Sequence, residues 1–116
     1  YFTMENILSR RLKNIWTQKE YQLGFSMLNT LEGLFKLARD RKNKPVEGSY
    51  TNKLLADKSF SKKKVLEEIN ELIEAVDENN NIMHEAADVF YHLIMYLEAN
   101  DVKIEQVMEE LNKRKK

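Results

Sequence analysis

The chain contains no cysteine, and only one proline and three glycines occur among its 116 residues. Without cysteine, neither a disulfide framework nor a thiolate metal site can form. Few residues interrupt helices, and no apolar run is long enough to cross a bilayer. Basic and acidic residues number 19 each, so no basic excess favours nucleic acid or a membrane surface as a partner. We therefore expect one domain in the cytoplasm.

Apolar residues recur at helical spacing along the chain, and the alternation typical of strands is absent, which predicts an all-α fold. Pro45 and Gly48 should interrupt the helices, and Asn100 with Asp101 should end one, because both residue types tolerate the left-handed conformation. Six helices are predicted: residues 3–16, residues 20–41, a short helix capped by Ser49, a helix capped by Ser61 and ending near residue 78, residues 82–99, and a final helix carrying apolar residues 104–111.

Two acid pairs occupy the helices that flank the turn of residues 79–81: Glu68 with Glu71, and Glu85 with Asp88. Each helical residue advances about 100° around the axis, which sets both pairs at the edge of their apolar stripe. A three-residue turn makes the helices antiparallel neighbours, so the pairs could converge at one wall of a groove. Four close carboxylates repel one another, and a divalent cation that prefers oxygen ligands removes the conflict.

One other interpretation of the acid pairs stays open on pattern alone, and a second does not fit the sequence. The acids could be ordinary solvent-facing residues, since E-x-x-E spacing is common in glutamate-rich helices. A di-iron site would need E-x-x-H pairs, and neither His84 nor His92 has an acid three residues before it. We expect His92 to be a hydrogen-bonded residue at the edge of its helix and not a metal ligand.

The pattern E-x-x-E followed by E-x-x-D resembles the all-α nucleoside triphosphate pyrophosphohydrolases, the MazG-like superfamily. The segment PVEGSYTNKLL, placed before KVLEEINE and EAADVFYHL, is similar to the phosphoribosyl-ATP pyrophosphohydrolase family of histidine biosynthesis. The resemblance runs from about residue 27 to residue 114, and we assign residues 21–116 to this domain. Residues 1–20 are either an N-terminal helical extension or the remnant of a fused upstream domain, phosphoribosyl-AMP cyclohydrolase.

This resemblance implies a MazG-like helical bundle and Mg²⁺-dependent hydrolysis of phosphoribosyl-ATP to phosphoribosyl-AMP and pyrophosphate. It implies that the Mg²⁺ ligands are Glu68, Glu71, Glu85 and Asp88. Glu67 is a weaker catalytic candidate, either for supporting the metal ligands from behind or for orienting water. The residues implied to hold the nucleotide are Ser49, Tyr50, Thr51, Lys53 and Lys64. Ser49 and Thr51 could instead only cap a helix, and Tyr50 could belong to the core.

The resemblance also implies a homodimer whose second subunit completes the core. Apolar side chains that the single chain is expected to leave uncovered would be buried between the subunits: Phe90, Ile94, Met95 and Leu97. Two other functions stay open: a house-cleaning pyrophosphohydrolase that acts on free nucleoside triphosphates, and a helical interaction module without enzymatic activity.

Overall fold

Five helices make up the fold of residues 18–115, the range that this computed structural model describes, with side chains from residue 29 onward. They are α1 (Gln18–Asn43), α2 (Tyr50–Ala56), α3 (Lys58–Glu78), α4 (Ile82–Ala99) and α5 (Ile104–Lys113), and no strand occurs in this range. The predicted all-α class is confirmed. The helix predicted over residues 3–16 lies outside the described residues. Among the helices that are described, none combines the length and the apolar character needed to cross a membrane.

A tightly bonded loop of residues 44–49 connects α1 to α2. The amide of Ser49 donates to the Val46 carbonyl at 3.2 Å, and Gly48 has a φ of 79°, a conformation that glycine adopts without a steric cost. The Asn52 side chain accepts from the Val46 amide at 2.8 Å and donates to the Arg41 carbonyl at 2.8 Å. Ser49 caps α2, as predicted, because its hydroxyl accepts from the Asn52 amide at 3.3 Å. These bonds fix where α2 begins.

The start of α3 differs from the prediction. Asp57, not Ser61, is the N-cap, and its carboxylate accepts from the Phe60 amide at 3.0 Å. Asp57 also ends α2, so the two helices meet at one extended residue. Ser61 lies within α3, fully buried, and its hydroxyl has no hydrogen-bond partner among the described residues. Both residue types are good N-caps, and the pattern of apolar residues does not distinguish them.

Helices α3 and α4 form a hairpin around the three asparagines, as predicted. Asn79 and Asn81 both have left-handed φ values, of 53° and 57°. The amide of Asn80 donates to the Ala75 carbonyl at 3.0 Å, and that of Asn79 donates to the Val76 carbonyl at 3.2 Å. This pair of bonds is a Schellman motif, which satisfies the last carbonyls of α3 and reverses the chain within three residues.

The centre of the core joins α1, α2 and α4. Its buried members are Ala38, Leu54, Leu55 and Met95, against which Leu34, Phe60 and Tyr91 pack. Our expectation that Ile94 and Met95 are uncovered is wrong, because they are only 5% and 0% exposed within the single chain. Phe90, in contrast, is 57% exposed, as expected.

Charged side chains connect the end of α1 to the end of α4 by ion pairs and hydrogen bonds. Arg39 forms an ion pair at 3.2 Å with Glu98, which is only 4% exposed. The ammonium of Lys42 donates to the Glu98 carbonyl at 2.7 Å and to the Asp101 carboxylate at 2.9 Å. Asp101 is the left-handed residue that ends α4, with a φ of 59°, whereas Asn100 has a negative φ. A cation at this position also suits the negative end of the helix dipole.

All these contacts lie within one compact unit, residues 34–102. The other unit comprises residues 18–33 together with residues 103–115. At the start of α5, the amide of Lys103 donates to the Gln106 side chain at 2.9 Å. Near its end, Arg114 pairs with Glu110 at 3.2 Å. The predicted final helix is confirmed.

Candidate metal and nucleotide site

The two acid pairs meet across the hairpin. Carboxylate oxygens of Glu68, Glu71 and Glu85 lie within 4.8 Å of one another, so α3 and α4 both contribute to this group. Glu85 also belongs to a second group with Asp88 and His84, whose ligand atoms are equally close. The four acids that the sequence singles out therefore form two groups that share Glu85. Glu71 is exposed, and the other three acids are half-buried.

Burial and mutual repulsion make the ionised acids costly at this place. Burial raises the pKa of Glu68, and the charges of Glu71 and Asp88 raise it further. Burial also raises the pKa of Glu85, and the adjoining Glu71 carboxyl group adds to that rise. One oxygen each of Glu68 and Glu85, Oε2 in both, is buried with no hydrogen-bond partner among the described residues.

These unpaired oxygens fit a hard divalent cation. Buried polar atoms are normally hydrogen-bonded, and a bound ion is one explanation for those that are not. The group consists mainly of carboxylate oxygens, which Mg²⁺ prefers over nitrogen ligands. The donor set of Glu68, Glu71, Glu85 and Asp88 therefore suits Mg²⁺.

His84 is a neighbour of the site that the sequence interpretation did not select. Its Nε2 atom lies 3.5 Å from a carboxylate oxygen of Asp88, four residues further along α4. The signal was the i, i+4 spacing of the two residues, which places both side chains on one face of a helix. An imidazole at this position offers a nitrogen ligand or a proton donor at the open rim of the acids, since His84 is exposed.

Glu67 lies outside both acid groups and contacts a lysine instead. The Lys64 ammonium donates to Glu67 Oε2 at 3.1 Å, and this hydrogen bond raises the pKa of Lys64. Lys64 also lies 5.7 Å from the centroid of the Phe60 ring, and Lys53 lies 4.1 Å from it. Phe60, which the sequence interpretation missed, therefore holds two ammonium groups by cation–π contacts.

Tyr50 faces solvent beside these charges. Its side chain is 44% exposed, so the alternative that it belongs to the core is wrong. Burial of the phenol raises the pKa of Tyr50, while the charge of Lys64 lowers it and that of Glu68 raises it. The phenol thus lies close enough to feel both a lysine and an acid of the candidate metal group. The phenolic oxygen is hydrogen-bonded to His92 Nε2 at 2.8 Å, so the expected hydrogen bonding of His92 is confirmed.

Ser49 and Thr51 are already bonded within the protein. The Ser49 hydroxyl accepts from the Arg41 guanidinium at 2.9 Å in addition to capping α2. Thr51 is 9% exposed, and its hydroxyl is hydrogen-bonded to the Tyr91 hydroxyl. Of the predicted nucleotide contacts, Tyr50, Lys53 and Lys64 are therefore the side chains that the structure leaves most accessible to a ligand.

Sequence comparison relates the chain to known proteins. Residues 29–115 match the family described as phosphoribosyl-ATP pyrophosphohydrolase. A protein of Clostridium acetobutylicum named phosphoribosyl-ATP pyrophosphatase is 42% identical over 88 residues, which cover 72% of this chain and 79% of the relative. A protein of Methanococcoides burtonii with the same name is 39% identical over 93 residues, which cover 76% of this chain and 94% of the relative.

A third relative carries the domain within a longer chain. The histidine biosynthesis bifunctional protein HisIE of Pyrococcus furiosus is 40% identical over 90 residues, which cover 77% of this chain but only 43% of the relative. The matched range contains the acid pairs, the loop of residues 44–49 and the site helices α2, α3 and α4. The resemblance seen in the sequence is confirmed: the chain belongs to the phosphoribosyl-ATP pyrophosphohydrolase family.

Proposed function

We propose that this protein hydrolyses phosphoribosyl-ATP to phosphoribosyl-AMP and pyrophosphate in a Mg²⁺-dependent reaction, the second step of histidine biosynthesis. The observation that carries the proposal is a pair of acid groups that share Glu85 across two adjacent helices, with unpaired buried oxygens on Glu68 and Glu85, in a chain of this family. A helical interaction module would give no reason to bury unpaired carboxylate oxygens, which cost stability.

Glu68, Glu71, Glu85 and Asp88 would hold the metal ion in this proposal. Bound Mg²⁺ would supply charge neutralisation at the phosphate oxygens and would lower the pKa of water. The protein's own contribution is to present these carboxylates on the adjacent helices α3 and α4 before the substrate binds. No nucleophilic side chain is required, which agrees with the absence of cysteine.

Lysines on α2 and α3 would bind the polyphosphate. Lys53 and Lys64 both contact Phe60 and therefore present two positive charges close together. The hydrogen bond from Lys64 to Glu67 leaves the Glu67 carboxylate with further acceptor capacity. We assign to Glu67 the orientation of the attacking water, and to the two lysines stabilisation of the charge on the leaving pyrophosphate.

The protein is proposed to act as a homodimer. Several apolar side chains on α3 and α4 are exposed in the single chain: Leu66, Ile69, Ile73, Val76, Phe90 and Leu93. Those on α3 recur at helical spacing and form one apolar strip along the helix. A second copy of the chain would bury this surface. Extended apolar patches that are exposed in a single chain generally mark such contact surfaces.

Two proposals concern the setting of the domain. The bifunctional relative supports a fusion in which residues 1–20 are the remnant of an upstream phosphoribosyl-AMP cyclohydrolase domain and residues 21–116 form the pyrophosphohydrolase domain. A cytoplasmic location is proposed because the substrate and product are soluble nucleotides.

The test is pyrophosphate release from phosphoribosyl-ATP with and without Mg²⁺, alongside a panel of free nucleoside triphosphates. We expect Mg²⁺-dependent release from phosphoribosyl-ATP that exceeds release from every free nucleotide. Faster turnover of the free nucleotides would support the house-cleaning function instead. No release from any substrate would contradict both enzymatic functions.

A further inference from the structure

A chain of hydrogen bonds links the candidate metal helix to the exposed phenol of Tyr50. His92 is 5% exposed, and its Nδ1 atom lies 2.7 Å from the backbone carbonyl oxygen of Asp88 on the same helix. Its Nε2 atom lies 2.8 Å from the phenolic oxygen of Tyr50, the first residue of α2. Both ring nitrogens are therefore engaged, and the ring is fixed between the two helices.

The direction of these bonds follows from the chemistry of the groups. A carbonyl oxygen can only accept, so Nδ1 of His92 carries the hydrogen that it donates to Asp88. In the neutral imidazole the other nitrogen, Nε2, is then an acceptor, and the Tyr50 hydroxyl must donate to it. The hydroxyl hydrogen of Tyr50 is thereby used in the bond to His92, and only the lone pairs of the phenolic oxygen remain to accept a hydrogen bond from a ligand.

We propose that His92 is a positioning residue that fixes the Tyr50 hydroxyl as a hydrogen-bond acceptor, so that Tyr50 selects a hydroxyl group of the substrate's ribose and not a phosphate. This inference rests on the proposed function. A phosphate oxygen has no hydrogen to donate to an acceptor, whereas a ribose hydroxyl does. The phosphate oxygens, which only accept, are left to Lys53 and Lys64, because a lysine ammonium only donates.

The chain offers a matched control next to His92. Tyr91 makes a second bond between α4 and α2, to the buried hydroxyl of Thr51. Tyr91→Phe removes the Tyr91 hydroxyl and with it one hydrogen bond between α4 and α2, while the hydrogen bond from Tyr50 to His92 is kept. A role that is merely structural predicts similar kinetic effects at the two positions, and a positioning role does not.

The experiment measures kcat and KM for phosphoribosyl-ATP with His92→Leu, Tyr50→Phe, the double variant and Tyr91→Phe. We expect both single variants to raise KM about three- to tenfold, the effect of one neutral hydrogen bond, with kcat little changed. The double variant should resemble Tyr50→Phe alone, because His92 acts through Tyr50. Tyr91→Phe should stay within about twofold of the unmodified protein.

Independent losses that multiply in the double variant would overturn the inference, as would equal effects of His92→Leu and Tyr91→Phe. Circular dichroism checks that each variant folds. If His92→Leu does not fold, analogues that lack each ribose hydroxyl in turn decide with Tyr50→Phe alone. For one analogue, the unmodified protein should bind the analogue more weakly than the substrate, whereas Tyr50→Phe should bind the two equally well. If Tyr50→Phe prefers the substrate over every analogue as strongly as the unmodified protein does, the inference is contradicted. An unmodified protein without any turnover would refute the proposed function itself, and this inference with it.

Discussion

Glu68 is the residue at which the conflict inside the site is most evident. Its carboxylate is half-buried, its Oε2 atom has no hydrogen-bond partner among the described residues, and the nearest ionisable groups include Glu71 and Asp88. Such an arrangement destabilises a metal-free protein and stabilises a metal-bound one. We therefore expect this destabilisation of the metal-free protein to be retained because it favours metal binding, since such strain persists where function requires it.

Replacement of Glu68 by glutamine should reduce turnover strongly without unfolding the protein. Loss of groups that merely orient metal ligands costs about 10–100-fold, so loss of a ligand should cost about 100-fold or more. Metal-free Glu68→Gln should melt at the same temperature as the unmodified protein or higher, because one repelling charge is gone. Glu74→Gln is the matched control, an exposed acid of the same helix outside both acid groups. Equal turnover by the two variants would contradict the assignment.

The raised pKa values of Glu68 and Glu85 predict how the stability of the metal-free protein depends on pH. The pKa of both groups lies above the ordinary 4.5 in the folded state, so the folded protein binds more protons than the unfolded chain just above pH 4.5. The free energy of unfolding from these groups should therefore fall as pH rises from about 4.5 through the raised pKa values. Lys42 lowers the pKa of Asp101, which has the opposite effect at lower pH.

Urea unfolding in the presence of EDTA, repeated across this pH range, measures the effect. The pH dependence of Glu68→Gln should be shallower than that of the unmodified protein, and the difference isolates Glu68 because Asp101 is common to both. Addition of Mg²⁺ should stabilise the unmodified protein most at the upper end of the range, with release of protons. Identical pH profiles for the two proteins would show that Glu68 is not perturbed.

At the scale of helices, the junction of α2 and α3 gives a direct test of the capping assignment. Asp57→Ala should lower the free energy of unfolding by about 1 kcal/mol, the usual cost of a lost N-cap. Ser61→Ala should be neutral or stabilising, because it removes a fully buried hydroxyl without a hydrogen-bond partner among the described residues. Ser59→Ala, at an exposed position in the first turn of α3, is the control. Urea denaturation midpoints compare the three; a larger loss for Ser61→Ala would contradict the structure.

The hairpin and its acids could be predicted from the sequence because they depend on local features. Helical spacing sets the positions of Glu68 and Glu71 relative to the apolar stripe, and three consecutive asparagines mark the turn. The start of α3 could not be predicted in this way, because Asp57 and Ser61 are both suitable caps and only the contact with α2 decides. The burial of Met95 likewise depends on where α2 packs, which helical periodicity does not reveal.

The nucleotide side of the site was predictable only through the family resemblance. The sequence indicates that Ser49 is a helix cap, but nothing in the spacing of Tyr50 and Thr51 indicates that the first is exposed and the second buried. The partner residues decide this: Arg41 bonds Ser49 from eight residues earlier, and Tyr91 and His92 come from the distant helix α4. Phe60 was missed because the helix was predicted to begin after Ser61, which left Phe60 outside it; in the structure Phe60 lies in α3, and two lysines contact its ring.

At the scale of the whole molecule, the exposed apolar strip on α3 predicts association. Ile73 and Val76 are each 54% exposed, which is unusual for side chains at helical spacing in a monomer. Ile73→Glu should weaken self-association, because burial of an unpaired charge in an apolar interface is costly. Lys63→Glu changes the charge at an exposed polar position of α3 and is the control. Sedimentation equilibrium should show a dimer for the control and a larger monomer fraction for Ile73→Glu; a monomeric unmodified protein would contradict the proposal.

The most direct test of the central claim is a Mg²⁺ titration of pyrophosphate release from phosphoribosyl-ATP, with Asp88→Asn compared with the unmodified protein. If the four acids bind Mg²⁺ together, EDTA should abolish pyrophosphate release and added Mg²⁺ should restore it. The activity of Asp88→Asn should be at least about 100-fold lower than that of the unmodified protein. Release that persists in EDTA, or that Asp88→Asn carries out as fast as the unmodified protein, would contradict the claim.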